Sequence, residues 1–156
     1  MIPDRIDQYL REHHLPYVHS THVRAITAQR FAAAEHVPGD RIAKPVVVSV
    51  DGKLALAVVS ATQRVDTEEL RRALGAKKVE LAAEPEFQGR FTGCEVGAEP
   101  PLRLFGLQLY VDAALARARR IVMRGGTHED AIELETEAWM RSEGASPVTG
   151  LGRWFA

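Results

Sequence analysis

Apolar and polar positions along this chain follow two periods, one typical of amphipathic helices and the other typical of β-strands. Near the start, Ile6 and Leu10 fall on one face of residues 4–14 with charged positions between them, which predicts a short helix. A second helix is predicted to begin after Thr27, whose hydroxyl group suits the N-cap position, and to end before Pro38.

The strongest pattern is the segment KPVVVSVDGKLALAVVSA, in which two β-branched apolar runs flank Asp51 and Gly52. An Asp-Gly pair between two such runs favours a two-residue type I′ turn, so the segment is predicted to be an antiparallel hairpin. The remaining elements predicted in the same way are a helix at residues 67–74 capped by Asp66, a strand at 79–82, a helical turn at 85–91, a strand at 104–111, a short helix at 113–118, strands at 120–124 and 131–135, and a final helix through Trp139 and Met140. Residues 92–102 are too rich in glycine and proline for a regular element and predict a shaped loop.

Helices and strands therefore interleave irregularly around one antiparallel hairpin. This order predicts an α+β fold with a mixed, mostly antiparallel sheet. The length of 156 residues, with 46% hydrophobic and 26% charged residues, is that of one ordinary globular domain. We therefore expect a single domain over residues 1–156.

The composition also excludes several classes of protein. A formal net charge of −1 argues against a protein that coats nucleic acid through bulk electrostatics. Cys94 is the one cysteine, so an intramolecular disulfide and a cysteine-based metal site are excluded. No stretch is apolar enough for a signal-peptide core or a membrane span, and a soluble cytoplasmic protein that does not bind membranes is expected.

Three local features are candidates for chemistry. Lys44 stands where the hairpin begins, so its amine is expected at the rim of whatever the sheet encloses, where it would hold a phosphate or polarise a carbonyl oxygen. The loop from Gly93 to Leu102 suits the aiming of backbone N–H groups into a cavity, as an oxyanion hole requires. His128 follows two glycines that allow a ligand to approach closely. Each feature has an ordinary alternative, namely a surface lysine, a simple turn and a solvated histidine.

Basic residues cluster in one eight-residue segment, at Arg117, Arg119, Arg120 and Arg124. They either form the solvated faces of two elements or provide a local contact for a nucleic-acid backbone. A metal site is not indicated, because the histidines near the start of the chain lack a recognised zinc spacing. The absence of a P-loop, a dinucleotide fingerprint and a serine-hydrolase elbow disfavours ATP chemistry and conventional catalytic triads.

Taken in order, four segments of the chain resemble the YbaK/ProX family, the stand-alone relatives of the editing domain of bacterial prolyl-tRNA synthetases. These segments are AKPVVVSVDGKLALAVVSA, VDTEELRRALGAKKVELA, GCEVGAEPPL and GGTHEDAIEL, and the resemblance covers nearly the whole chain. The loop of that family usually reads G-x-x-V-G-G-x-x-P-L-G. Here Ala98 and Arg103 stand where two of its glycines are usual.

The resemblance implies a partly barrel-like sheet with surrounding helices, and a trans-editing hydrolase that cleaves the ester between a wrong amino acid and the 3′ end of a tRNA. It implies no cofactor and no metal. The candidate site residues that follow from the motifs and this resemblance are Lys44, Gly97 and His128 for catalysis, Thr27, Gly93, Ala98, Pro101 and Gly126 for substrate binding, and Arg117, Arg119, Arg120 and Arg124 for the tRNA acceptor stem.

The methyl group of Ala98 predicts a narrow pocket that admits small amino acids such as alanine, serine or cysteine. The expected partners are the acceptor end of a tRNA and an aminoacyl-tRNA synthetase. Two other functions stay open, a non-catalytic module that binds a tRNA end or a nucleotide, and an adaptor that docks on a synthetase through Trp154 and Phe155.

Overall fold

Short strands and helices follow one another along the chain, and the computed structural model describes residues 1–155. The helices are Asp4–Glu12 (α1), Ala28–Glu35 (α2), Thr67–Leu74 (α3), Glu84–Phe87 (α4), Ala113–Ala116 (α5) and Thr136–Ser142 (α6). The strands are Val18–Thr21 (β1), Lys44–Val50 (β2), Lys53–Val59 (β3), Gln63–Val65 (β4), Val79–Leu81 (β5), Leu109–Asp112 (β6), Arg120–Arg124 (β7), Asp130–Glu135 (β8), Ser146–Val148 (β9) and Gly152–Trp154 (β10). None of the helices among the described residues is long and apolar enough to cross a membrane.

The predicted hairpin is confirmed as the pair β2 and β3. Asp51 and Gly52 have φ angles of 50° and 85°, the left-handed conformations that a type I′ turn requires at both central positions. The Asp51 carboxylate also accepts hydrogen bonds from the backbone N–H groups of Lys77 and Lys78, at 3.0 and 2.7 Å. The turn is therefore stabilised by the backbone of Lys77 and Lys78 as well as by its own geometry.

The strands form three sheets. The largest has the order β5-β2-β3-β6-β9, in which β6 runs parallel to both of its neighbours and the other pairs are antiparallel. A three-stranded antiparallel sheet has the order β1-β8-β7, and β10 pairs with β4 in the third. The α+β single-domain fold is thus confirmed. None of the three sheets closes on itself, so the partly barrel-like arrangement does not extend to a closed barrel.

Two contacts place the site-forming elements against one another. An isolated parallel bridge joins Ile42 to Val122, and Ala43 donates its N–H to the carbonyl of Val122 at 2.9 Å. The start of β2 therefore lies beside β7. Trp139 of α6 is fully buried and donates its indole N–H to the carbonyl of Pro101 at 2.9 Å, which fixes the end of the predicted loop on the core.

Helix caps follow the sequence closely. The Thr27 hydroxyl accepts the N–H of Arg30 at the start of α2, and the Asp66 carboxylate accepts the N–H groups of Glu68 and Glu69 at the start of α3. Gly75 ends α3 in the left-handed conformation with φ of 62°. Both predicted N-caps are therefore confirmed.

Two predicted segments differ from the structure. The strand expected at residues 104–111 is shorter, because Arg103–Phe105 form a 3₁₀ turn and β6 begins only at Leu109. Gly106, with φ of 78°, ends that turn and interrupts the apolar run. The last part of the chain, for which no strand was predicted, contains β9 and β10.

Candidate active site

Lys44, Gly97 and Arg124 meet at one small cavity of about 190 Å³. The other residues that line the cavity are apolar, and they are Ile26, Ala28, Phe31, Ile42, Ala43 and Pro45. The cavity forms because the start of β2 lies beside β7, while the loop after α4 closes over both. Two of the three residues assigned to catalysis from the sequence, Lys44 and Gly97, are thus brought together.

The Lys44 side chain is half-buried at the first position of β2. Its Nζ donates to the backbone carbonyl of Gln63 at 2.5 Å and lies 5.3 Å from the centre of the Phe155 ring. Within residues 1–155 it forms no ion pair with a carboxylate. Burial lowers the pKa of this amine. No carboxylate among residues 1–155 therefore neutralises its positive charge, which suits it to a carbonyl or phosphate oxygen.

The loop over the cavity turns at Gly97, whose φ of 80° places its backbone in the left-handed region. The loop is held on the strand connection that follows β7, because Glu95 donates its N–H to Gly126 and Gly126 donates its own to Ala98, at 2.8 and 3.0 Å. Among the described residues, the N–H groups of Gly97 and Glu99 have no backbone acceptor. Against burial, which raises the pKa of the Glu99 carboxyl group, both N–H groups instead act to lower it. This part of the loop is therefore suited to negative charge, and an oxyanion there would take the place of that carboxylate.

His128 lies behind this loop and not on the cavity wall. The residue is 4% exposed, and its Nε2 lies 2.8 Å from the carbonyl of Val96, which can only accept, so Nε2 carries the proton. Its backbone N–H donates to the Glu95 carboxylate at 2.8 Å. A Cβ atom placed on Gly97 would lie 3.7 Å from its Cε1. In this position the imidazole supports the loop, and the catalytic role assigned to it from the sequence stays a prediction.

Glu99 is a site residue that the sequence analysis missed. It lines a second cavity of about 430 Å³, which shares Gly97 with the first and also contains Phe87 and Phe91. Burial raises the pKa of the Glu99 carboxyl group, against the opposing effect of the Glu99 and Gly97 N–H groups and of the Arg124 guanidinium. The only signal in the sequence was its place inside the loop.

Arg124 is buried, which corrects its assignment to an exposed arginine cluster. It is 8% exposed, and its guanidinium donates to the carbonyls of Ala25, Ile26 and Thr27 at 2.6, 2.8 and 3.1 Å. It also lies 4.6 Å from the centre of the Phe31 ring. It faces inward because β7 is buried from Ile121 to its end. Arg124 therefore forms a wall of the cavity and fixes the segment before α2.

The other three arginines remain near the surface. Arg117 and Arg119 are exposed, and Arg120 is partly exposed, 3.6 Å from the carboxylate of Glu133. A contact of these three with the acceptor stem stays a prediction.

The family to which this protein belongs is decided by a match over most of its length. Residues 22–142 match the family model described as the aminoacyl-tRNA editing domain. The chain belongs to this family of editing domains. The predicted family and the predicted class of enzyme, a deacylase that hydrolyses the aminoacyl-tRNA ester, are thereby confirmed.

Known proteins similar to this editing domain agree with that conclusion. Over 76 residues, 49% of the chain, it is 34% identical to a proline–tRNA ligase of Moorella thermoacetica, of which it covers 13%. It superimposes on the crystal structure of a proposed trans-editing enzyme for prolyl tRNA synthetase with a TM-score of 0.76, at 24% identity over 93% of both chains. The crystal structure of a hypothetical protein gives a TM-score of 0.84 at 20% identity, over 96% of this chain and 100% of the other. These structures share the fold of the editing domain.

Of the residues assigned to substrate binding, only Gly93 lines a cavity of the editing domain, the second one. Thr27 caps α2, and the carbonyl of Pro101 accepts from Trp139. Gly126 is packed so tightly that a Cβ atom there would lie 2.7 Å from Cδ1 of Ile6. These three residues position the elements around the site, and any direct contact with substrate stays a prediction.

The narrow wall that the sequence predicted from Ala98 lies elsewhere. Ala98 is fully buried and lines neither cavity, because its N–H and carbonyl are both used within the loop connections. Apolar side chains, Ile26 and Ala28 among them, line the first cavity instead.

Cys94 does not act as a nucleophile in this arrangement. Burial, followed by the nearby Glu99, raises the pKa of its thiol to about 11, so the thiol is protonated near neutral pH. Within residues 1–155, no group of three histidine, cysteine, aspartate or glutamate side chains is placed to hold a metal ion.

Proposed function

We propose that this editing domain acts in trans on a mischarged tRNA and hydrolyses the ester that joins a small amino acid to its 3′ end. The observation that carries the proposal is that Lys44, whose amine has no carboxylate partner among the described residues, lines the same small cavity as Gly97. The relative among prolyl-tRNA synthetases makes tRNA for proline the first tRNA to test. Charged tRNA is cytoplasmic, and we propose that compartment for the protein.

The residues around the cavity suit ester hydrolysis by water. As water adds to the ester carbonyl carbon, the carbonyl oxygen gains negative charge, which the Gly97 N–H and the Lys44 ammonium stabilise. The bond between that carbon and the ribose oxygen then breaks, and the ribose oxygen takes the proton that the water gives up. A side-chain nucleophile is not needed. The family resemblance implies that the free hydroxyl of the terminal ribose helps to place the water.

The size of the cavity supports a small amino acid as the acyl group of the ester. Its volume of about 190 Å³ is bounded on one side by the Phe31 ring and on another by the fixed Arg124 guanidinium. Because a synthetase pocket gains only about 1–3 kcal/mol of discrimination per methylene, a second site that admits small residues corrects errors that the first accepts. Alanine, serine and cysteine are the proposed substrates.

The direct test is a deacylation assay with tRNA charged with labelled alanine, serine, cysteine or proline. With substoichiometric protein, we expect many equivalents of free amino acid to be released from one or two of these substrates. Reactions without protein give the spontaneous rate. If all four esters are retained while the tRNA is still bound, the protein is a binding module and not an enzyme.

Substrate size is tested by replacing Ile26 with alanine. Ile26 lines the cavity but is 55% exposed, so its truncation widens the cavity with little expected effect on folding. We expect kcat/KM for a larger aminoacyl group such as valine to rise about 10-fold relative to alanine. Val23→Ala is the matched control, because Val23 is 78% exposed on the same connection and lines neither cavity. An unchanged ratio in Ile26→Ala would place the size limit elsewhere.

A further inference from the structure

Two exposed aromatic side chains follow one another at the end of β10, and the second contacts Lys44, although nothing in the hydrolysis itself requires them. Trp154 is 60% exposed and Phe155 is 53% exposed. The strand β10 pairs with β4, where Trp154 stands opposite Gln63. The N–H of Phe155 continues the pairing with the carbonyl of Thr62 at 3.5 Å. Trp154 is therefore held on β10, and Phe155 directly follows this strand.

The short strand β4 also contacts Lys44, the lysine proposed to act in catalysis. The Gln63 carbonyl accepts the Lys44 amine at 2.5 Å, and that amine lies over the Phe155 ring at 5.3 Å from its centre. One side of the ring therefore faces the lysine. About half of the Phe155 residue, 53%, remains exposed to solvent.

A cation accompanies the rings. Arg64 is exposed in β4 and forms no ion pair within residues 1–155, whereas its neighbour Arg153 is paired with Asp66. Exposed aromatic rings next to unpaired cations are the combination with which proteins bind single-stranded nucleic acid, because bases stack on the rings and phosphates meet the charges. Exposed rings together with a cation therefore suit the binding of RNA better than the binding of an apolar protein surface.

We propose that Trp154 and Phe155 stack the unpaired bases at the 3′ end of the tRNA, and that Arg64 contacts the phosphates between them. The inference rests on the proposed function, because an ester that reaches Lys44 carries its terminal nucleotides past the Phe155 ring. The two rings form a stacking platform, which positions the ester and takes no part in the chemistry. The other candidate for these rings, docking on a synthetase, gives no reason for their contact with Lys44.

The first experiment measures binding without turnover, using the fluorescence of Trp154. The chain has two tryptophans, and Trp139 is fully buried, so a ligand at the surface affects Trp154 selectively. We expect the trinucleotide CCA to quench the emission in a saturable manner. An abasic trinucleotide of the same charge is expected to leave it unchanged. Equal quenching by both would overturn stacking.

The second experiment measures deacylation by Phe155→Leu, which keeps an apolar side chain without a π face. We expect KM for charged tRNA to rise about 10-fold, in the range set by about 1–3 kcal/mol per stacked base, with kcat unchanged. Phe155→Tyr should restore the KM. The matched control is Leu81→Ala, since Leu81 is also 60% exposed but lies on β5 at a sheet edge.

The outcomes separate the two proposals. Unchanged KM in Phe155→Leu, with wild-type turnover intact, would overturn the platform and leave the deacylase standing. Saturable quenching by CCA without any release of amino acid would overturn the deacylase and leave the platform standing. If Phe155→Leu loses deacylation activity only when a prolyl-tRNA synthetase is added, and its KM for free charged tRNA is unchanged, the rings serve protein docking. That result would overturn stacking.

Discussion

Replacing Lys44 with alanine is expected to lower kcat for deacylation by about 100- to 1000-fold, the usual effect of removing one group that stabilises an oxyanion. The reason is that Lys44 lines the same cavity as Gly97 and carries a charge that no carboxylate of the described residues neutralises. Single-turnover release of labelled amino acid, measured at saturating protein, reports this step separately from tRNA binding.

Two further variants decide what the lysine does. Lys44→Arg keeps the charge but replaces the compact ammonium with a larger planar group, so partial activity is expected. Lys53→Ala is the matched control, because Lys53 is an exposed lysine at the other end of the same hairpin. A Lys44→Ala variant that retains the wild-type kcat would remove this residue from the mechanism.

The pH dependence has a defined direction. Burial lowers the pKa of Lys44, and the protonated amine is the form that stabilises negative charge. Activity that depends on Lys44 is therefore expected to decline as the pH rises through this lowered pKa, below the pH at which an ordinary lysine loses its proton. Spontaneous ester hydrolysis, which increases with pH, is subtracted at each point.

The parts of the fold that could be predicted are those that depend on neighbouring residues. Asp51 and Gly52 define the hairpin through their own backbone conformations, and Thr27 and Asp66 define helix starts through their own side chains. The three-residue strands β9 and β10 lack such signals. They are strands because partner strands are present to pair with them, which composition does not reveal.

The candidate site was predictable in part for the same reason. Lys44 and Gly97, which the sequence singled out separately, line one cavity in the structure, but the direction in which each side chain points depends on packing. Arg124 follows three buried apolar residues in β7 and turns inward with them, so a cluster of arginines in sequence is not a cluster in space. Glu99 becomes a site residue only when the loop folds over the cavity.

Replacing Arg124 with alanine is expected to destabilise the protein by about 3 kcal/mol, because hydrogen bonds to a charged donor contribute about 1.5–3 kcal/mol and their loss leaves acceptors unsatisfied. The guanidinium satisfies three successive carbonyls, those of Ala25, Ile26 and Thr27, and packs on Phe31. Urea unfolding at pH 7 measures the change through the midpoint and the slope.

The matched control for this variant is Arg117→Ala, because Arg117 is an exposed arginine outside the cavity, whose loss should cost less than about 0.5 kcal/mol. Arg124→Lys should be intermediate, since one ammonium cannot reproduce the planar fork that reaches three carbonyls. If Arg124→Ala unfolds at the same urea concentration as Arg117→Ala, the guanidinium does not hold the segment before α2. Arg124→Lys would then be free to test the residue as a contact for tRNA, which the sequence had suggested and burial argues against.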